Sequence, residues 1–347
     1  MEKYEIMEKL GGGTFGVVWK ALNKQTRETV AIKKLLTKYE SSSDKLMIKR
    51  EVKSLLFNKD HENIVTLKDI INENNTIFLV FEHMESSLYD RMKIMKAPFS
   101  ESQIREICFQ IFKGLAYMHQ NGYIHRDLKP MNLLVSENVI KIGDFGSARE
   151  TKDELPYTHN VTTSSYRAPE VFLYSKVYDS AVDMWAMGAI MAELFTSQLL
   201  FQGSSDLHVM HKICSVLGTP TESSWFQGLE QARNINYRFP DLPGVRFSEL
   251  LPTASPEAVD LIGSLLSWLP SERMTAMQAL LHPFFDSCYC VPQSIRVAPS
   301  DPATDVTEFK LALLQELLEK KSSSKSCEDI GDDGTCMLPE NPFEFMN

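Results

Sequence analysis

The spacing of apolar positions changes character along the chain. From Tyr4 to Leu10 it alternates loosely, then meets Gly11-Gly12-Gly13-Thr14-Phe15-Gly16-Val17-Val18, and Val17-Val18-Trp19 continues as strand. That predicts a β-hairpin with glycines near its tip. Further strands are predicted over residues 28–34, 64–71 and 76–81, with a turn at Asn72-Glu73-Asn74-Asn75 joining the last two. Between them, Ser41-Ser42-Ser43 starts a helix whose apolar side is Leu46, Ile48, Val52, Leu55 and Leu56.

Past Phe81-Glu82-His83-Met84 the period turns helical. Ser100-x-x-Gln103 is a capping box. Ile104, Ile107, Cys108, Ile111, Leu115 and Met118 follow at helical spacing, and Gly122 can end the helix. Cys108 lies on the apolar side and is expected in the core. Two short strands are predicted over 133–135 and 139–142, around a Ser136-Glu137-Asn138 turn. Asp183-Met184-Trp185-Ala186-Met187-Gly188 is apolar on nearly all sides, as a buried helix is. Near the end, Asp305-x-x-Glu308 can cap a short amphipathic helix over about 305–321 bearing Phe309, Leu313, Leu314 and Leu317. From Ser322 the Ser-, Gly- and acid-rich composition predicts disorder.

Composition narrows the classes. The chain has 347 residues, 43% hydrophobic, enough for a sizeable core and two lobes. Lys plus Arg total 36 against 46 Asp plus Glu, a net charge of −10, which disfavours non-specific nucleic-acid binding. The Met1-Glu2-Lys3-Tyr4 start lacks the apolar stretch of a signal peptide, and no run is long enough to span a bilayer. Neither nucleic acid nor membrane is therefore an expected partner. The six cysteines show no metal-ligand spacing and are read as reduced thiols of an intracellular protein.

The candidate chemistry centres on His125-Arg126-Asp127-Leu128-Lys129-Pro130-Met131-Asn132. In phosphoryl transfer, Asp127 can orient a substrate hydroxyl and accept its proton, and Lys129 can neutralise charge on the moving group. Asn132 can offer an amide oxygen to Mg²⁺, with Asp144 as a second hard-oxygen ligand. Taken alone, the octapeptide is equally a surface loop after a helix. The same holds for Gly11, Gly13 and Gly16: they let backbone amides lie close to phosphates, but a plain hairpin turn needs glycines too. Lys33, within Val30-Ala31-Ile32-Lys33, is costly in an apolar strand unless paired, so it predicts an anion. Glu51 is the candidate partner; the alternative is a solvated helical glutamate.

Residues 11–18, Lys33, Glu51, residues 125–132, Asp144-Phe145-Gly146 and Ala168-Pro169-Glu170 stand in the order and rough spacing of eukaryotic protein kinases, which the chain resembles over residues 1 to about 286. Tyr166-Arg167-Ala168-Pro169-Glu170 and an insert at about 220–252 resemble the CMGC group. Arg50-Glu51-Val52-Lys53-Ser54-Leu55, Tyr157-Thr158, Ile190-Met191-Ala192-Glu193-Leu194 and Val216-Leu217-Gly218-Thr219-Pro220 look most like its MAK-like (RCK) members.

The resemblance implies an α+β, bilobal fold with a small antiparallel-sheet lobe (1–81), a hinge (82–87), a large helical lobe (88–286) and a tail (287–347). It implies ATP and Mg²⁺ as cofactors, held where these lobes meet. Leu10, Gly11, Gly12, Gly13, Thr14, Phe15, Gly16, Val18, Ala31, Lys33, Glu51, Phe81, Glu82, Met84, Ser87 and Leu134 are its expected nucleotide residues, with backbone groups of Glu82 and Met84 at the adenine edge. Asp127, Lys129, Asn132 and Asp144 are the catalytic residues, Asn132 and Asp144 also holding metal. Arg273 is implied to pair with Glu170 as a structural bridge.

Further implications are serine/threonine specificity, a preference for proline after the acceptor associated with Arg167, and protein substrates with Ser/Thr-Pro sites. The expected address is cytoplasm or nucleus, with the cilium suggested by resemblance. Arg50, Arg126 and Arg149 match arginines that gather round a phosphothreonine, implying activation at Thr158 by an upstream kinase; constitutive activity is the alternative.

The sequence departs from the pattern at several points. Thr158-His159-Asn160 lacks the tyrosine of Thr-x-Tyr, and Ser164-Ser165 replaces an Arg-Trp pair that includes the phosphotyrosine partner. Ser87 stands where relatives often place an aspartate toward the ribose, and Met131 replaces the usual glutamate of the catalytic loop. A catalytically weak or inactive kinase-fold scaffold is the alternative function, set against the presence of Lys33, Asp127 and Asp144 together.

Overall fold

The computed structural model describes residues 1–13, 16–35, 42–58, 61–74, 76–95, 97–151, 164–175 and 179–289. They form two compact units, one ending at Met84 and the other opening at Glu85. The expected helix at 305–321, the expected disorder after 322 and Thr158 lie outside the described residues.

The first unit is a five-stranded antiparallel sheet with one helix. In chain order these are β1 (Tyr4–Gly13), β2 (Gly16–Asn23), β3 (Thr29–Leu35), α1 (Ser42–Asn58), β4 (Leu67–Glu73) and β5 (Thr76–Glu82). The strand order is β1-β2-β3-β5-β4. Alternation on β3 buries Val30 and Ile32, which pack with Tyr4, Ala21 and Val80 into a cluster flanked by Met1, Ile71 and Phe78. On α1, Ile48, Val52 and Leu55 are buried, whereas Leu46, expected on the apolar side, is exposed.

Two strand boundaries differ from expectation. β4 begins at Leu67, not at 64. Ile64 and Val65 are buried, but His61 folds the chain there: its carbonyl accepts from Ile64 N and its Nδ1 from Asn63 N. Hydrophobicity reported burial at these positions, and ladder pairing starts later. The β4–β5 turn is also tighter than predicted. Glu73 pairs with Thr76, and Asn74 takes the left-handed conformation with φ 52°.

The second unit is mainly helical. It opens with β6 (Ser86–Ser87), α2 (Leu88–Met95) and α3 (Glu101–Gln120), then β7 (Tyr123–Ile124), β8 (Leu133–Ser136), β9 (Val139–Ile142) and β10 (Arg149–Glu150). There follow α4 (Pro169–Phe172), α5 (Ala181–Thr196), α6 (Asp206–Leu217), α7 (Glu222–Asn234), α8 (Phe247–Leu250), α9 (Pro256–Leu265) and α10 (Ala276–Leu280). The Ser100–Gln103 capping box forms in both directions. Asn121 caps the C-terminus of α3, and Gly122 supplies the positive φ (76°) that leads into β7. Helix α5 is buried from Ala181 to Phe195; α3 and α9 pack against it, and α10 packs on α3. Cys108 is fully buried, and burial, with Cys288 nearby, pushes its thiol pKa up. That suits packing rather than reactivity.

Candidate active site

In the first unit, the glycine stretch forms the hairpin end that the pattern predicts: Gly11 pairs with Val18, Gly12 with Val17 and Gly13 with Gly16. Its glycines are not equivalent. A Cβ on Gly16 would collide with the Lys34 carbonyl oxygen on β3, so Gly16 is required by strand packing. A Cβ on Gly11 would meet no described atom within 4 Å. Packing among the described residues gives no reason for glycine there, whereas the approach of a phosphate to backbone amides would. Thr14 and Phe15 lie outside the described residues. Leu10 is exposed beside a register shift, Val18 pairs with Lys33, and Ala31 pairs with Phe81.

Lys33 breaks the inside–outside alternation of β3 and is buried. Its Nζ lies 2.8 Å from Glu51 Oε1, and Glu51 is buried as well. The anion that Lys33 required is therefore supplied by α1. A buried pair of this kind adds little net stability, because desolvation offsets most of the attraction; what it does is hold an ammonium in one place.

Glu82 N–H donates to Thr66 O at 3.1 Å, and its carboxylate accepts from Thr66 N at 2.7 Å. A base edge meeting Glu82 would meet its carbonyl, which narrows the expectation for that residue. Met84 is buried.

In the second unit the loop 125–132 is suspended from α5. Asp183 Oδ2 accepts from His125 N (2.9 Å) and Oδ1 from Arg126 N (2.8 Å), while His119 Nε2 at the end of α3 lies 2.9 Å from Oδ2. Burial alone pushes the Asp183 carboxyl up. The His119 hydrogen bond and charge, with His125 and its amide, outweigh it and hold the group below the usual carboxylate range. Arg126 adopts φ 68°, and its Nε donates to Ser147 O at 2.7 Å. Sequence reasoning placed Asp183 in a buried helix without giving it a task. The usable signal was a lone carboxylate in an apolar helix, which must find donors.

Asp127 is held from two sides. Lys129 Nζ lies 2.7 Å from its Oδ2, and Asn132 Nδ2 donates to its backbone oxygen (2.7 Å) and to Oδ2 (3.2 Å). Both amide donors of Asn132 thus point at Asp127, which turns Asn132 Oδ1 away from it. Gly143 ties this loop to Asp144: its N–H donates to Asn132 O at 2.8 Å and its carbonyl lies 2.9 Å from His125 Nε2. The next residue, Asp144, is left-handed with φ 56°, a conformation uncommon outside glycine and concentrated at functional sites. Leu134 packs so closely over Gly143 that a Cβ there would lie 2.9 Å from Leu134 Cδ1.

One amide oxygen and one carboxylate suit a small hard cation that keeps water and phosphate oxygens as its other ligands. Among the described residues no cluster of three or more His, Cys, Asp or Glu is placed to hold a metal ion. Among those residues the set suits a hard divalent cation that brings oxygen ligands of its own.

Ser87 caps α2. Its hydroxyl accepts from Asp90 N (3.1 Å) and donates to Asp90 Oδ2 (2.6 Å). The Ser-x-x-Asp spacing could have revealed Asp90 in advance. Arg167 Nη1 lies 3.0 Å from Asp206, and its guanidinium sits 5.0 Å from the Phe172 ring centre. Arg273 grips Glu170 with Nη1 (2.7 Å) and Nη2 (2.8 Å). Arg126 and Arg149 are buried in the second unit, and Arg50 belongs to α1 in the first.

Residues 4–285 match the protein kinase domain family. The chain belongs to that family. Among its relatives, this kinase domain is 52% identical over 306 residues to cyclin-dependent kinase F-4 of Oryza sativa subsp. japonica, covering 87% of the chain and 66% of the relative. It is 46% identical over 326 residues to serine/threonine-protein kinase MAK of Homo sapiens, covering 93% and 51%, and 44% identical over 286 residues to serine/threonine-protein kinase ICK of Mus musculus, covering 82% and 45%. These likenesses place it with the MAK-like kinases of the CMGC group. The chain spans about half to two thirds of the length of these relatives. No described helix is long and apolar enough to cross a membrane.

Proposed function

We propose that this chain is an ATP-dependent serine/threonine protein kinase that phosphorylates protein hydroxyls. The observation that carries the reading is the Asp127 carboxylate, fixed by Lys129 and Asn132 in a loop that Gly143 joins directly to Asp144. Asp127 receives the acceptor hydroxyl and takes its proton. Lys129, 2.7 Å from Asp127, offsets the charge that gathers on the transferring group. Asn132 Oδ1 and Asp144 are the metal ligands, and Lys33, aimed by Glu51, is the phosphate-binding cation. Bound Mg²⁺·ATP supplies the phosphoryl group and a divalent charge on its oxygens. The protein contributes positioning and fixed electrostatics.

Finer assignments belong to the same proposal. Arg167 supports a preference for proline after the acceptor. Activation at Thr158 by an upstream kinase would use Arg50, Arg126 and Arg149. Both rest on the matched positions in the sequence.

The test is transfer of labelled γ-phosphate to Ser-Pro and Ser-Ala peptides by the full chain, with nucleotide binding measured separately. Transfer abolished by Asp144→Asn and Lys33→Met supports the proposal. Nucleotide binding with no transfer to any peptide or protein would make the chain a scaffold. Full activity of Thr158→Ala would remove the phosphothreonine switch alone.

A further inference from the structure

Helix α1 presents two different sides. Ile48, Glu51, Val52, Leu55 and Asn58 are buried. Opposite them stand Leu46, Lys49, Lys53 and Phe57, which about 3.6 residues per turn bring onto one face. Leu46 is 46% exposed and Phe57 58%, and Lys49 is exposed between them. Lys53 Nζ lies 5.7 Å from the Phe57 ring centre, so cation and ring share one patch. Single exposed apolar residues are ordinary on a protein surface; here two of them flank two cations on the helix that supplies Glu51. That carboxylate holds Lys33 at 2.8 Å. Whatever seats α1 therefore also seats the ammonium that Glu51 aims.

The chain carries a segment of matching chemistry. Asp305, Glu308, Glu316 and Glu319 fall on one side of the helix expected over 305–321, beside an apolar stripe of Phe309, Leu313 and Leu317. Its carboxylates complement Lys49 and Lys53, and its apolar stripe complements Leu46 and Phe57. The lengths also agree. Leu46 and Phe57 are eleven positions apart, as are Glu308 and Glu319, and eleven helical steps rise about 16 Å. The last described residue is Tyr289, and the 16 residues from there to Asp305 reach up to about 55 Å when extended. A tether of that kind gives the segment a high local concentration, which a second copy or a separate protein lacks.

We propose that the segment around 305–319 docks in cis on the face of α1 formed by Leu46, Lys49, Lys53 and Phe57, and so holds Glu51 against Lys33. The contact combines burial of apolar area with charge pairing at the surface, so added salt weakens it without abolishing it. The docking stands apart from the kinase reading; its effect on phosphate transfer rests on that reading.

Hydrogen exchange on the full chain, at several protein concentrations, tests the contact through the amides of α1. Lys49→Glu with Lys53→Glu should speed their exchange about tenfold. Leu313→Asp with Leu317→Asp should do the same from the other side, leaving α1 itself unaltered. Adding Glu316→Lys and Glu319→Lys to the lysine pair should restore protection, because the charges are then exchanged across the contact. Transfer of labelled phosphate should fall and recover in step. Exchange that neither pair changes, or that the charge exchange leaves fast, overturns the proposal. Protection that grows with protein concentration assigns the face to a second copy and overturns the cis contact. A chain that transfers no phosphate removes the kinase reading and leaves the exchange result to decide the docking.

Discussion

Replacing Asp183 by Asn tests whether α5 suspends the catalytic loop. The carboxylate accepts from two backbone amides on different oxygens, at 2.9 and 2.8 Å, with His119 at 2.9 Å. A carboxamide has one accepting oxygen, so its NH₂ would face the N–H of either His125 or Arg126. Losing one charge-assisted hydrogen bond costs about 1.5–3 kcal/mol, and stranding a buried donor about 1–3 kcal/mol more. The expected loss is therefore about 3–5 kcal/mol, a large part of the ~5–15 kcal/mol typical of a domain. Urea denaturation followed by tryptophan fluorescence reads it well, because Trp185, Trp225 and Trp268 all lie in the second unit and Trp19 alone lies in the first. Transfer activity should fall with it, since Asp127 loses its support.

The pH dependence gives an independent check. The Asp183 carboxyl is held below its unfolded value of about 3.9. Its contribution is thus fully present above about pH 4 and is lost as pH falls through the lower folded value. The gap between wild type and Asp183→Asn should narrow in acid. A variant within about 1 kcal/mol of wild type at pH 7, well under the loss worked above, with activity intact, would refute the suspension argument.

Three further outcomes are expected. Burial pushes the Glu193 carboxyl up, with the Tyr166 hydroxyl (2.6 Å) pulling partly back. Wild-type stability should therefore fall as pH rises from about 4.3 through the raised folded value, and Glu193→Gln should flatten that slope without lowering Tm at pH 7.5, as thermal shift across pH can show. Gly188→Ala would place a Cβ 2.8 Å from Leu266 Cγ and 3.0 Å from Leu265 Cβ, so it should destabilise by about 1–3 kcal/mol in denaturant. Arg273→Lys keeps the charge but cannot hold Glu170 with two nitrogens while also reaching the Ser267 and Ala181 carbonyls, as Arg273 does; a loss of about 2–3 kcal/mol is expected, measured the same way.

Local chemistry made much of the molecule readable in advance. Periodicity located the strands of the first unit and α3 of the second, because the burial pattern along a strand or an amphipathic helix follows its spacing; α5 was legible as an unbroken apolar stretch. The capping box at Ser100 and the glycine after α3 were legible for the same reason: they satisfy backbone groups within a few residues. Lys33 announced an anion, since a lysine in an apolar strand must find one, and the motif order pointed to Glu51. Spacing overreached at Ile64 and Val65, where burial came without pairing, and at Leu46, which the helix exposes.

What the chain could not declare were the partnerships between distant residues. Asp183 is 58 residues from the His125 amide it accepts, Arg273 is 103 from Glu170, and β3 lies beside β5 with α1 and β4 intervening in sequence. Motif likeness suggested the second of these; no pattern of spacing could supply the first. Sequence by itself settled most of which stretches are buried and where the α3 cap and the Lys33 anion are needed, because those demands arise from each residue's own polarity and backbone. Tertiary structure alone decided which donor meets which acceptor, because that depends on how separately formed helices and strands pack within each unit.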